Sequence, residues 1–172
     1  MRINIRNILL ALALSIPMRV VAKAPAENSY KISSRGITEI RGFFGKVLVD
    51  AKIEAHEIDI GPPSTEMPKE NRTNCTYSRF PCSTVDDLDI KVNGNEISVA
   101  RSVFGDLGDI SSALLSRKTK DQFLLILGGG DASKSFSVEI LFTNRRVLER
   151  DIRLNEADYV IERTVYFPPA EM

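Results

Sequence analysis

Four sets of residues in this chain have types and spacings that could do chemistry. His56 is the only histidine, so a Ser-His-Asp or Cys-His relay would have to pass through it. It follows an alternating run, Val47 to Ala55, and no G-x-S-x-G nucleophile motif lies near it, which favours a half-exposed strand position. Acidic residues are densest at Asp86, Asp87 and Asp89, with Asp106 and Asp109 beyond. Two of them facing each other across a cleft would suit a hydrolase. Neither group has the D-x-D/N-x-D/N-G order of a calcium loop, so solvated turn and strand-edge charge is the expected role.

The third set is Gly128-Gly-Gly-Asp-Ala-Ser-Lys134-Ser135, one residue away from the phosphate-loop pattern G-x-x-x-x-G-K-S/T. A phosphate loop must open a helix, because the free N–H groups of the first helical turn hold the phosphates. Here Phe136, Val138, Ile140 and Phe142 follow with a period of two, the mark of a half-buried strand. Asp131 would also set a carboxylate where polyphosphate must sit. The stretch therefore reads as a glycine-rich hairpin loop in which the backbone reverses, and no cofactor is expected.

The fourth set is Cys75 and Cys82. Zinc needs three or four ligands, and a single histidine cannot complete such a set. The six-residue gap also lacks the two-residue spacing of a redox dithiol. The pair reads as a structural disulfide, worth roughly 2.5 kcal/mol for so short a loop. Around it cluster Arg72, Tyr77, Arg79 and Phe80; Tyr and Arg anchor binding surfaces, and a pinned loop loses less entropy on binding. Together with Asp131 and Lys134 at the glycine hairpin, these are the candidate binding residues. The alternative is that Tyr77 and Phe80 tuck onto the sheet and cover an open end. No catalytic residue and no metal ligand is assigned.

The elements that must position these groups are strands. Ser29 to Ile32 reads as a short strand, and Gly36 to Gly42 as strand or turn. Lys46 to Ile60 alternates with Val47, Val49, Ala51, Ile53 and Ala55 on one side. The apolar side then switches at Ile58, which places a bulge or bend near His56. Pro62, Pro63, Pro68 and Pro81 punctuate a long loop, 61–84, fastened in its second half by the disulfide. Leu88–Val92 and Asn95–Val99 flank Asn93-Gly94, a type I′ hairpin turn. A helical turn or connector around Phe104, Leu107 and Ile110 and a strand at Ala113–Arg117 precede the two strands beside the glycines and a third at Val147–Leu154. Last, Tyr159, Ile161, Val165 and Phe167 alternate along a closing strand. Eight or nine short strands with little helix predict an all-β class, a single antiparallel β-sandwich or flattened barrel.

Residues 1–24 stand apart. Arg2 and Arg6 precede the apolar run Ile8–Ile16, Pro17 breaks it, and Ala22-Lys23-Ala24 has the form of a signal cleavage site. The run is about half of the ~20 residues that cross a bilayer, so a cleaved signal peptide is expected, and a domain at 25–172 with no membrane span. Removing Arg2, Arg6, Arg19 and Lys23 leaves 19 basic against 23 acidic side chains, a net charge of −4. Such a surface gives no electrostatic reason to bind nucleic acid. The expected compartment is periplasmic or secreted.

Several blocks resemble small exported proteins of Gram-negative bacteria: Tyr77-Ser-Arg-Phe-Pro-Cys82 with Val85-Asp-Asp87, Val92-Asn-Gly-Asn-Glu-Ile97 with Val103-Phe-Gly-Asp-Leu107, and Gly129-Gly-Asp-Ala-Ser133 running into Ser137-Val-Glu-Ile140. The resemblance covers about half of the chain, implies a periplasmic home and carries no established activity. A fainter similarity is to periplasmic lysozyme inhibitors, small β proteins that insert a polar Ser-Gly and Tyr loop into an enzyme cleft. Gly130 to Phe136 would take that part here, with no Ser-Gly pair and Phe136 in place of Tyr. The resulting expectation is a non-catalytic binding protein whose partner is another envelope protein, with a structural envelope domain or a carboxylate-dependent hydrolase as alternatives.

Overall fold

The computed structural model of the protein describes residues 29–58, 82–130, 135–157 and 159–168. Within them the chain forms ten strands: β1 (Ser29–Lys31), β2 (Gly36–Phe44), β3 (Val47–Ile58), β4 (Cys82–Val92), β5 (Asn95–Glu96), β6 (Ile110–Arg117), β7 (Phe123–Gly129), β8 (Phe136–Phe142), β9 (Val147–Leu154) and β10 (Tyr159–Val165). One 3-10 turn, Arg101–Val103, stands between β5 and β6, and no α-helix occurs among the described residues. The class is all-β. The ladders are antiparallel and form two sheets, six strands in the order β1-β6-β7-β8-β9-β10 and four in the order β2-β3-β4-β5.

Period-two patterning builds both sheets onto one core. Val49, Ala51, Ile53 and Ala55 of β3 are buried, while the residues between them reach solvent. The same apolar cluster takes in Ile40, Leu88 and Ile90 of the four-stranded sheet and Leu125, Leu127, Val138, Ile140 and Phe142 of the six-stranded one. Burial of each such side chain stabilises the fold by about 1.5–3 kcal/mol, which is what fixes the registers. Asn93 and Gly94 have φ of 52° and 80°, so the β4–β5 turn is the expected type I′, although its return strand is only two residues long.

Four differences from the sequence reading have plain physical reasons. Gly36–Phe44 is a full strand, because its ladder with β3 outweighs the two glycines that made it ambiguous. β4 begins at Cys82, three residues inside the stretch expected to be loop. The bulge near His56 is carried by β4: Glu54 pairs with Asp87 and Ala55 with Val85, so Asp86 is the extra residue. It lets Asp86 and Asp87 both face solvent while Val85 and Leu88, three positions apart, both stay buried. Finally, Gly128 and Gly129 belong to β7 and pair with Ser137 and Phe136. They are glycine because of close approach and not because the chain reverses there. A Cβ on Gly128 would stand 2.5 Å from Ser112 Oγ; on Gly129 it would stand 2.7 Å from the Phe136 ring and 3.0 Å from the Asp109 carbonyl oxygen. Only Gly130, at φ 72°, has the positive angle the run was expected to supply.

Candidate functional site

Ladder registers bring together two regions the sequence could only nominate separately. The long loop is stemmed by Ile58 and Cys82, which are paired residues at the end of β3 and β4. Beside them the connection into β6 comes up: the Asp109 N–H donates to the Ser83 carbonyl at 2.7 Å, and the Gly130 N–H donates to the Asp109 carbonyl at 3.3 Å. Asp109 is buried and takes φ 56°, an unusual angle for a side-chain-bearing residue, which lets both its backbone groups reach their partners. Ser135, the other stem of the glycine hairpin, accepts from the Asn155 N–H at 3.1 Å. The turn before β2 lies at the same end, where Ser34 and Arg35 hold Glu57 of β3 at 2.6 and 2.9 Å. The stems of the cysteine loop and of the glycine hairpin are thus one backbone-bonded assembly, with Asp109 between them.

Arg72, Tyr77, Arg79, Phe80, Asp131 and Lys134, the candidate binding residues, lie outside the described residues, as does Cys75. Cys82 is fully buried at the start of β4.

Next to this end, the β4 bulge delivers Asp86 to His56. The His56 Nδ1–H donates to the Asp86 carboxylate, at 2.8 and 2.7 Å from its two oxygens, and Thr84 Oγ1 lies 3.4 Å from the same nitrogen. A catalytic relay needs the carboxylate on one ring nitrogen and the nucleophile on the other. Here the hydroxyl sits beside the nitrogen that the carboxylate already holds, so Thr84 cannot pass its proton to the base. Both partners of the pair are about half exposed, which makes this a solvated surface pair.

The acidic stretch disperses in the same way. Asp86 holds His56, Asp87 accepts from the Leu88 N–H at 3.0 Å, and Asp89 faces Lys52 at 3.9 Å. Asp106, by contrast, accepts from a buried guanidinium: Arg150 Nη2 donates to its carboxylate, 2.8 Å from each oxygen. Among the described residues no group of three or more His, Cys, Asp or Glu is placed to hold a metal ion.

Two charged surfaces were not read from the sequence. One covers the outer face of the four-stranded sheet, where Glu39, Lys52 and Asp89 form one cross-strand row and Arg41, Asp50 and Lys91 the next. These six line a shallow depression of about 400 Å³. The other lies on the outer face of β8, β9 and β10. There Arg163 Nε and Nη2 donate to the Asp151 carboxylate at 2.7 and 2.6 Å, Arg153 approaches it at 3.7 Å, and Arg153 pairs with Glu139 at 3.1 Å. The Arg163 hydrogen bonds hold the Asp151 carboxyl below the usual carboxylate range, overcoming the opposing effect of its burial. Alternating charge along β3 (Asp50, Lys52, Glu54) marked its solvent face in the sequence; the cross-strand partners depend on register and left no such mark.

Fold and site define the described residues as a two-sheet, all-β assembly in which strand ends from both sheets are joined at one end through Asp109. No family model, no curated protein and no solved structure matches it.

Proposed function

We propose that this chain is an exported, non-catalytic binding protein, an inhibitor or immunity-type partner of an envelope-acting enzyme, with its two sheets stacked as a β-sandwich. Its binding end is formed by the segment between β3 and β4, clamped by a Cys75–Cys82 disulfide, and by the glycine hairpin. Arg72, Tyr77, Arg79 and Phe80 supply the anchors from the first, and Asp131 and Lys134 from the second. The observation that carries this reading is the Ser83–Asp109–Gly130 series of backbone hydrogen bonds, at 2.7 and 3.3 Å, which ties the stems of both loops together. Two loops from different sheets then present one surface, and a rigid support reduces the entropy lost on binding. Engagement of Asp86 with His56, of Asp89 with Lys52 and of Asp106 with Arg150 further favours binding over carboxylate catalysis.

The test is affinity capture from a periplasmic extract with the mature domain as bait. Wild type should retain a discrete envelope enzyme and inhibit it. The triple variant Tyr77→Ala, Arg79→Ala, Phe80→Ala should lose at least about tenfold in affinity, the loss of one or more anchors. Undiminished capture by that variant and by Lys134→Ala would sink the proposal.

A further inference from the structure

The end of the molecule opposite the Asp109 assembly gathers cations that the chain's overall charge conceals. β2 runs toward the turn at Gly45-Lys46, β4 toward Asn93-Gly94, β6 toward 118–122 and β8 toward 143–146, and β10 ends beside the last of these. Two contacts show that the turns of both sheets share this end. Arg117 Nη1 donates to the Phe44 carbonyl at 3.2 Å, and Ser98 forms a parallel bridge with Arg146. The Phe44 and Phe123 rings meet beneath the first contact, 5.7 Å between centroids.

Among the described residues of these turns, Lys46, Arg117, Lys118, Lys120 and Arg145 are exposed, and Asp121 is the one exposed carboxylate. No carboxylate among the described residues pairs with any of the five. Arg117 donates to the carbonyls of Phe44, Thr119 and Lys120, which neutralise none of its charge. Just behind the β4–β5 turn, Lys91 and Glu96 offset each other at 4.0 Å. Residues 25–172 carry a net charge of −4, so a local excess of positive charge is segregation and not a reflection of composition.

Two large apolar side chains flank the cations. Phe43, 72% exposed, stands opposite Leu48 in the β2–β3 ladder. At ~3.4 Å per residue it sits roughly 7 Å back from the tip of that hairpin. Phe167, 83% exposed, follows Tyr166, whose N–H donates to the Leu148 carbonyl near the foot of β9. Exposed phenylalanines beside unpaired lysines match a layered target, anionic at its surface and apolar beneath. A nucleic-acid backbone supplies only the first layer, and a base-stacking site needs its aromatics within the track of cations, not at the margins.

We propose that this end docks on the surface of an anionic phospholipid bilayer, with the five cations in the headgroup layer and Phe43 and Phe167 at the acyl boundary. The strands then stand across the membrane plane, and the Ser83–Asp109–Gly130 end faces away from it.

The experiment is co-sedimentation of the mature chain with vesicles of phosphatidylcholine and phosphatidylglycerol in equal parts, beside vesicles of phosphatidylcholine alone. Wild type should bind the mixed vesicles only, and molar salt should release most of it. Each cation near an anionic leaflet strengthens binding about fivefold, so Lys118→Glu and Arg145→Glu should each weaken it by about tenfold or more. Lys31→Glu, paired with Ser112 near the other end, should leave binding unchanged. Phe43→Ser should weaken it about fivefold. Unchanged urea midpoints should accompany these losses, and were a variant unstable, the lipid and salt dependence of wild type would still decide. A wild type that ignores the mixed vesicles, binds both kinds equally, or prefers a single-stranded oligonucleotide to the mixed vesicles would overturn the proposal. So would Arg145→Glu binding no more weakly than Lys31→Glu. The loops at the far end take no part in this assay, so the envelope-enzyme reading stands or falls separately.

Discussion

The two outer faces of this molecule use the same residue types for different physical ends. On the four-stranded sheet, Lys52 lies 3.8 Å from Glu54 and 3.9 Å from Asp89, and all three side chains are more than a third exposed. On β9 and β10, Asp151 is 3% exposed, and Arg163 grips both of its oxygens at 2.6–2.7 Å. A solvated pair at the longer distance gains little over hydration and is screened by salt. A bidentate pair with one partner buried is another matter, since losing the cation would leave a desolvated carboxylate without compensation. Charge on the first face maintains a solvent-facing surface. Charge on the second fastens an edge strand, most of whose side chains are exposed, to its sheet.

Substitutions should separate the two faces. The largest effect is expected from Arg163→Met, which should cost about 3 kcal/mol in urea unfolding by leaving the buried Asp151 carboxylate without its bidentate partner and releasing the grip on β10; a loss below ~1 kcal/mol would erase the contrast. The same carboxylate gives a pH signature. Its folded-state pKa is depressed, so its stabilisation is present above the unfolded carboxylate value of about 4 and is lost as pH falls through the folded value. Wild type should therefore lose stability more steeply than Asp151→Asn as pH is lowered from 5, with no such divergence above that pH.

Arg150→Met should cost less, about 1–2 kcal/mol by the same measurement. Its stem is buried, but the carboxylates it leaves, Asp106 and Glu162, are each about half exposed and can hydrate. Smallest of all should be Asp89→Asn, under about 0.5 kcal/mol, and molar salt should abolish even that. A larger effect at Asp89 would mean that the depression it lines is part of the fold's support and not only its surface.

Much of the fold was legible where alternation was strong. Val49, Ala51, Ile53 and Ala55, or Phe136, Val138, Ile140 and Phe142, declare their buried side because a period of two has only one consistent placement against a core. Asn93-Gly94 declared its turn because few residues accept positive φ. Legibility failed where one residue interrupts the period. Tyr159, Ile161, Val165 and Phe167 look like a single face in the sequence, yet the register with β9 slips between Val160 and Glu162, so Tyr159 is out of phase with Val165. Asp86 is the same case on β4.

The sequence by itself determined the all-β class and the polar faces of the strands, because these follow from local side-chain preference. Tertiary structure alone decided which strands meet. It made Gly128 and Gly129 strand residues, since only there do Ser112 and Phe136 crowd them. It gave His56 a carboxylate on its hydroxyl-facing nitrogen, and it joined Ser83 to Gly130 through Asp109. These contacts link residues 7 to 30 positions apart that lie on different strands or connections, and no local pattern encodes such a partner; it is set by the register that buries the most apolar surface.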